Sequence, residues 1–197
     1  LAVHPQPNQL QGHALVELLR GKYPVEVICA FTVQEEVGLR GAKVAGFTAE
    51  PDAAFVIDCT PAGDLPTQDD ELENTHYNTK LGQGPAIYSF DRATISDKRL
   101  IKHLVSTAES KRIPYQHRQP GGGGTDAGAI HLSRSGVPTV SVSVPGRYLH
   151  SPAAIIDKQD FYNTAKLLRA TLENWSSKIL KRLLVVGGWL LVIVTSH

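Results

Sequence analysis

The chain has 197 residues, 42% hydrophobic and 20% charged, with a formal net charge of +1. That balance describes an ordinary soluble globular protein with room for one good-sized core, alone or with a small appendage, and it lacks the basic excess of a nucleic-acid binder. The two cysteines, Cys29 and Cys59, lie in apolar runs with no Cys-x-x-Cys spacing and are expected as buried, reduced thiols. No secretory signal opens the sequence, so a cytoplasmic location is expected.

Residues 1–11 carry two prolines and no clear period, and read as irregular. Ala14, Leu15, Leu18 and Leu19 have the three-four spacing of a helix over Gly12–Arg20 that ends at Gly21. Val25–Val33 is rich in β-branched and aromatic residues, which predicts a strand buried on both faces. A short helix over Leu39–Ala45, closed by Gly46, leads to a second buried strand over Ala53–Asp58. Residues 60–84, with scattered Pro, Gly, Asp and Asn, read as an exposed loop or hairpin insertion.

A strand is expected over Pro85–Phe90, and an amphipathic helix over Lys98–Lys111 with Ser96 as its N-cap. Then follow a strand over Ile113–Gln119, a four-glycine loop over Gly121–Gly124, and a helix over Thr125–Arg134 capped by Thr125. A strand over Val137–Val144 and a long helix over Asp157–Trp175 complete the series. Strand and helix thus alternate from Gly12 to Trp175. This is the pattern of an α/β fold with a mostly parallel sheet flanked by helices on both faces.

The stretch over Leu183–Val194 is wholly apolar. As a helix rising about 1.5 Å per residue it reaches roughly 18 Å, short of a hydrocarbon core of about 30 Å. Residues 176–197 are therefore expected as a tail outside the domain, without a membrane span.

Acidic or imidazole side chains recur where strands end. Glu35 and Glu36 follow the first strand, Asp58 closes the second, Asp126 follows the glycine loop, and His150 lies in Pro145–Pro152. In open α/β sheets the carboxyl edge of the strands is where ligands bind. Carboxylates with a neutral imidazole are a ligand set for zinc, cobalt or manganese in a hydrolytic site, and a spare glutamate can act as base on a bound water. The same residue types also have plainer roles. A carboxylate is favoured at a helix N-terminus, which serves Asp126 equally well, and His76, His103, His117 and His131 carry no metal-ligand spacing. A phosphate-binding loop is excluded because no lysine follows Gly124, and no His-Glu-x-x-His helix occurs. Glu35 with Asp58 also leaves open a glycosidase pair, which needs carboxyls about 5–9.5 Å apart.

In combination, TVQEEVGLRGA (32–42), AAFVIDCT (53–60), GGGGTDAGAIHLSRSGVPTVSVSVPGRYLHSP (121–152) and the closing helix resemble the tetrahedral (TET) dinuclear metallo-aminopeptidases. The resemblance spans Gly12–Trp175 and implies a partial catalytic domain of zinc-aminopeptidase type, hydrolysing the first peptide bond of a peptide substrate. It implies Glu35 as general base, with Glu36 and His150 ligands of one metal and Asp58 a ligand of the other. The metals would be two divalent ions, zinc or cobalt. Gly124, Thr125 and Asp126 would lie beside the substrate, and homo-oligomers would be expected. The family's bridging aspartate, in an Asp-Asp-Arg-like motif before the first helix, has no counterpart in Pro7–Gly12, and no aspartate precedes Asp52. The readings set against the enzyme are a metal-poor remnant acting as a binding module and a glucanase-type glycoside hydrolase.

Overall fold

Residues 16, 18–65, 78–119, 123–176 and 178–180, and the backbone of 189–195, are described in the computed structural model. Alternate residues of strand β2 (Ala53–Pro61) are buried on opposite faces of one sheet, and this divides the molecule into its layers. Ala53, Phe55 and Ile57 pack with Leu100 and Leu104 of α2 (Lys98–Lys111) and with Leu167, Leu168 and Leu172 of α4 (Lys158–Glu173). Ala54 and Val56 instead meet Ala42 of α1 (Arg40–Ala49) and Ala127 and Ile130 of α3 (Ala127–Ile130). The larger core lies on the first face, where Trp175 meets Phe55 edge-on at 6.0 Å between ring centroids.

The other strands are β1 (Glu26–Thr32), β3 (Ala86–Ile87), β4 (Gln116–His117), β5 (Thr139–Arg147), β6 (Ile155–Ile156) and β7 (Trp189–Thr195). Their order is β1-β7-β2-β5-β3-β4, with β6 pairing antiparallel to the last two residues of β5. The run β1-β7-β2-β5 is parallel throughout, and β3 pairs antiparallel to β5. The expected three-layer α/β arrangement is present.

Several boundaries differ from the sequence expectation for identifiable reasons. The cap of α2 is Asp97 rather than Ser96, its carboxylate accepting the Arg99 N–H at 2.8 Å. Helix α1 runs through Gly46 to a left-handed Glu50, and Gly46 lies buried against Ser133 and Ile130 rather than closing the helix. The helix expected over Thr125–Arg134 is a single turn. It tightens through a bond from Ser133 N–H to the Ile130 carbonyl, and the chain then reverses at Arg134 with φ 51°. Strands β3 and β4 are two residues each, shorter than the apolar runs around them. Of the helix expected over 12–20, residues 16, 18 and 19 are helical, and 12–15 and 17 lie outside the described residues. Most of the insertion expected over 60–84, residues 66–77, also lies outside them.

Two differences bear on the site. β1 is not buried on both faces: it is the last strand at one side of the sheet, half-buried, and its Phe31 is 56% exposed. The apolar tail, expected to stand outside the domain, supplies β7, which lies parallel between β1 and β2. Val192 is in register with Cys29 on one side and Phe55 on the other. An apolar, β-branched run without charge suits a strand enclosed on both sides better than it suits a tail in water. Cys29 and Cys59 are both half-buried thiols outside any disulfide, and burial pushes the Cys29 thiol up to about 11. Among the described residues no helix is long and apolar enough to cross a membrane.

An interior strand tolerates no proline, since each buried backbone partner left unmade costs about 1–3 kcal/mol. Val192→Pro is expected to lower stability by that order and to speed amide exchange in both Glu26–Thr32 and Ala53–Ile57, as read by hydrogen–deuterium exchange. Unchanged exchange in the two strands would show that 189–195 does not pair between them.

Candidate active site at the carboxyl edge of the sheet

Parallel pairing brings the carboxyl ends of β1, β2 and β5 to one edge, and the acids and the imidazole arrive there on three separate segments. After Thr32 the chain makes a tight turn into α1. The main-chain carbonyl of Glu35 accepts the N–H groups of Gly38 and Leu39 at 3.1 and 2.9 Å, and that of Val33 accepts the Gly41 N–H at 3.0 Å. Gly41 is required here, because a Cβ would fall 2.5 Å from the Val33 nitrogen and 2.6 Å from its oxygen. Gln34, at φ 61°, breaks the strand's alternation, so Glu35 turns inward, 7% exposed, while Glu36 stays at the surface. The two adjacent glutamates thus take separate positions.

Asp58 is buried near the end of β2, one oxygen accepting the Cys59 N–H at 2.7 Å. Beyond β5 the chain passes Tyr148 and His150, at φ 60° and 61°, and His150 Nδ1 lies 2.9 Å from Glu36 Oε1. This rim is tied down by Arg147, whose Nε donates to Asp64 at 2.8 Å, while Asp64 also accepts the Leu81 N–H at 2.9 Å. Burial pushes the Asp64 carboxyl up, but the hydrogen bonds from Arg147 and Leu81 and the charge of Arg147 outweigh it and hold the group below its ordinary value.

These segments enclose a cavity of about 590 Å³ lined by Glu35, Glu36, Asp58 and His150, with Gly124 on its wall. Two residues expected beside a substrate are absent from its lining. Thr125 is buried in bonds to Ser141 and Asp91, at 2.8 and 3.3 Å, and Asp126 is fully buried and accepts the Thr32 hydroxyl. Both join the start of α3 to strands behind the cavity. His131 is likewise structural, its Nδ1 lying 2.8 Å from the Ala127 carbonyl.

Sequence reasoning missed a buried polar group that also lines the cavity. Arg118, 6% exposed, donates from Nε to Thr60 Oγ1 at 3.1 Å, and its guanidinium lies 4.6 Å from the centre of the Tyr88 ring. The Ser143 hydroxyl donates to the Tyr88 hydroxyl at 3.1 Å. Burial above all, and then the charge of Asp58, push Tyr88 up to about 12, against the opposing influence of Arg118. The available signal was a charged residue close before the glycine loop, inside an otherwise strand-like stretch.

The donor types fit a hard or borderline divalent cation, with Glu36 and His150 adjoining and Asp58 on the same cavity. The number of donors falls short of a closed set: no group of three such side chains converges among the described residues.

The match that decides the family covers residues 12–167 and is to the M42 glutamyl aminopeptidases. The chain belongs to this family. It is 38% identical over 165 residues to the glutamyl aminopeptidase of Lactococcus lactis subsp. cremoris, covering 83% of this chain and 44% of that protein. It is 34% identical over 165 residues to the lysyl aminopeptidase of Pyrococcus furiosus, covering 82% and 45%. The crystal structure of a TET aminopeptidase from a marine-sediment Thaumarchaeota archaeon superimposes with a TM-score of 0.78 and 31% identity, covering 88% of this chain and 49% of that one. The M42 chain described here therefore spans less than half the length of these relatives. The same fold matches over the part that is shared.

Because Asp64 is held below the ordinary carboxylate value in the folded state, its contribution to stability is present above the unfolded value of 3.8 and is lost as pH falls through the lower folded value. Asp64→Asn is expected to lower stability at pH 7 and to flatten the acid limb of the stability profile, measured by urea unfolding across pH. An acid limb as steep as the wild type's would remove Asp64 from the account of the rim.

Proposed function

We propose that this chain carries the water-activating and metal-holding part of an M42 metal-dependent aminopeptidase site, which hydrolyses the first peptide bond of a peptide. The observation that carries the reading is that Glu35, Glu36, Asp58 and His150, from three chain segments, all line one cavity at the carboxyl edge of a parallel sheet. Family membership gives that arrangement its chemistry.

In this reading Glu36 and His150 would hold one divalent ion, zinc or cobalt, and Asp58 a second. What such ions supply when bound is Lewis-acid polarisation of the scissile carbonyl and a lowered pKa for water. Glu35 is the proton carrier. Its side chain is buried and it lies in a turn fixed by two bonds to its own main-chain carbonyl, which supports a role as the base that takes a proton from water and returns it to the leaving amine. The 2.9 Å contact of exposed Glu36 with His150 supports the reading of Glu36 as a ligand rather than a base. The acidic wall also attracts the free ammonium of a peptide's first residue, which favours cleavage from the amino end.

The test is metal content and turnover in the same preparation. Two equivalents of zinc or cobalt per chain are expected by elemental analysis, falling to one in His150→Ala. Glu35→Gln is expected to keep the metal while losing about 10²–10⁴-fold in hydrolysis of aminoacyl-p-nitroanilides, the size of a general-base contribution. A chain that retains no metal at micromolar zinc would overturn the reading.

A further inference from the structure

Asp58 and Ser143 are register partners on the neighbouring parallel strands β2 and β5, so their side chains stand side by side on one face of the sheet. Tyr88 reaches the same place from the next strand. It follows β3, whose Ala86 is in register with Ser143, and its hydroxyl accepts the Ser143 hydroxyl at 3.1 Å. The phenol is thus one hydrogen bond away from the residue beside Asp58. It is 3% exposed, and Tyr88 lines the cavity together with Asp58 and Glu35.

Three contacts fix this ring. The Tyr88 N–H donates to the Ser141 carbonyl at 3.0 Å, Ser143 holds the hydroxyl end, and the Arg118 guanidinium lies 4.6 Å from the ring centre. Arg118 is fastened in turn through Nε to Thr60 at 3.1 Å. A phenol both accepts and donates. Because Ser143 supplies a proton to its oxygen, the donor that remains to Tyr88 is its own O–H. With an ordinary phenol value of about 10, that proton stays in place at neutral pH.

The strand order is β1-β7-β2-β5-β3, so Glu35, after β1, and Tyr88, after β3, approach Asp58 from opposite sides. A carbonyl seated over Asp58 would meet water on the Glu35 side and a fixed neutral donor on the Tyr88 side. Donors held in advance where negative charge develops, in a site poor in water, stabilise a transition state more than the ground state.

We infer that Tyr88 is a further catalytic residue of this site, its O–H donating a hydrogen bond to the substrate carbonyl oxygen as that oxygen becomes negative. The assignment rests on the aminopeptidase reading. Water adds to the carbonyl carbon while Glu35 takes its proton, and the C=O electron pair moves onto oxygen, where Tyr88 donates without giving up its proton. The pair then re-forms the carbonyl, the C–N bond breaks, and the amine leaves with the proton from Glu35. Ser143 and Arg118 are positioning residues for the phenol.

Equilibrium binding to the zinc-loaded full chain tests the role, by calorimetry with two ligands. The phosphonic acid analogue of leucine is tetrahedral and anionic at the position of the reacting carbon, whereas leucine amide is planar and neutral there. Tyr88→Phe is expected to weaken the phosphonate about tenfold, the size of one charge-assisted hydrogen bond, and to leave leucine amide within about twofold. Zinc content by elemental analysis is expected to stay the same. Phosphonate binding that survives Tyr88→Phe overturns the inference. An equal loss for both ligands also overturns it, since that marks a packing role, and so does a loss of zinc, which would assign the hydroxyl to Asp58. If Tyr88→Phe does not fold, Ser143→Ala keeps the phenol and removes the bond that orients it. That variant is expected to show the same selective loss at smaller size, and unchanged discrimination between the ligands overturns the inference. A wild-type chain that retains no zinc removes the aminopeptidase reading and this assignment with it. A zinc-retaining chain whose Tyr88→Phe variant binds the phosphonate normally leaves that reading standing and removes this assignment alone.

Discussion

The parallel pairing of β7 with both β1 and β2 is the constraint on which the site depends. Neighbouring strands lie about 4.8 Å apart, so one strand inserted between them holds β1 and β2 about 9.6 Å apart and in fixed register. Glu35 and Glu36 follow the first and Asp58 lies on the second. Their relation to each other is therefore set by main-chain hydrogen bonds to a third strand drawn from the opposite end of the chain. Helix α1 connects β1 to β2 but cannot set that spacing alone. A crossover helix covers one face of a sheet and makes no hydrogen bonds between strands.

Around that frame the rim is built from polar contacts of short reach. Arg147, Asp64 and Leu81 form one link. Asp160, at the start of α4, accepts the N–H groups of Gly82 and Gly84 at 2.7 Å each and forms another. Desolvation raises the Asp160 carboxyl while those two bonds oppose it, so the balance between burial and hydrogen bonding differs from that at Asp64. Both links fasten loops that carry little apolar surface of their own, and such loops are where site residues are commonly found. His150 is reached through two residues in the left-handed region, a conformation that bulky side chains adopt only when the surroundings impose it.

Arg118 joins the same cavity from the far side of the sheet order. It follows β4, its Nε bonds Thr60, two residues beyond Asp58 on β2, and its guanidinium rests against Tyr88, which follows β3. The rim of β2 thus carries an acid and the partner of a buried cation within three residues, because side chains two apart on a strand share a face.

Much was legible in the sequence because its signals are local. A continuous apolar run located β2 and three-four spacing located α2 and α4, and the acids at strand ends, with the glycine-rich turn at 38–41, marked the edge whose cavity Glu35, Glu36, Asp58 and His150 line. Tertiary structure decided what depends on neighbours distant in the chain. β1 carries an apolar run yet is an edge strand. The apolar run over 189–195 is an interior strand rather than a tail, since strand order follows from backbone pairing that no periodicity encodes. Thr125 and Asp126 left the cavity wall because Ser141 and Thr32 bind them from behind. Arg118 joined it because Thr60 and Tyr88, distant in the chain, hold its guanidinium there, and no local spacing announces such partners.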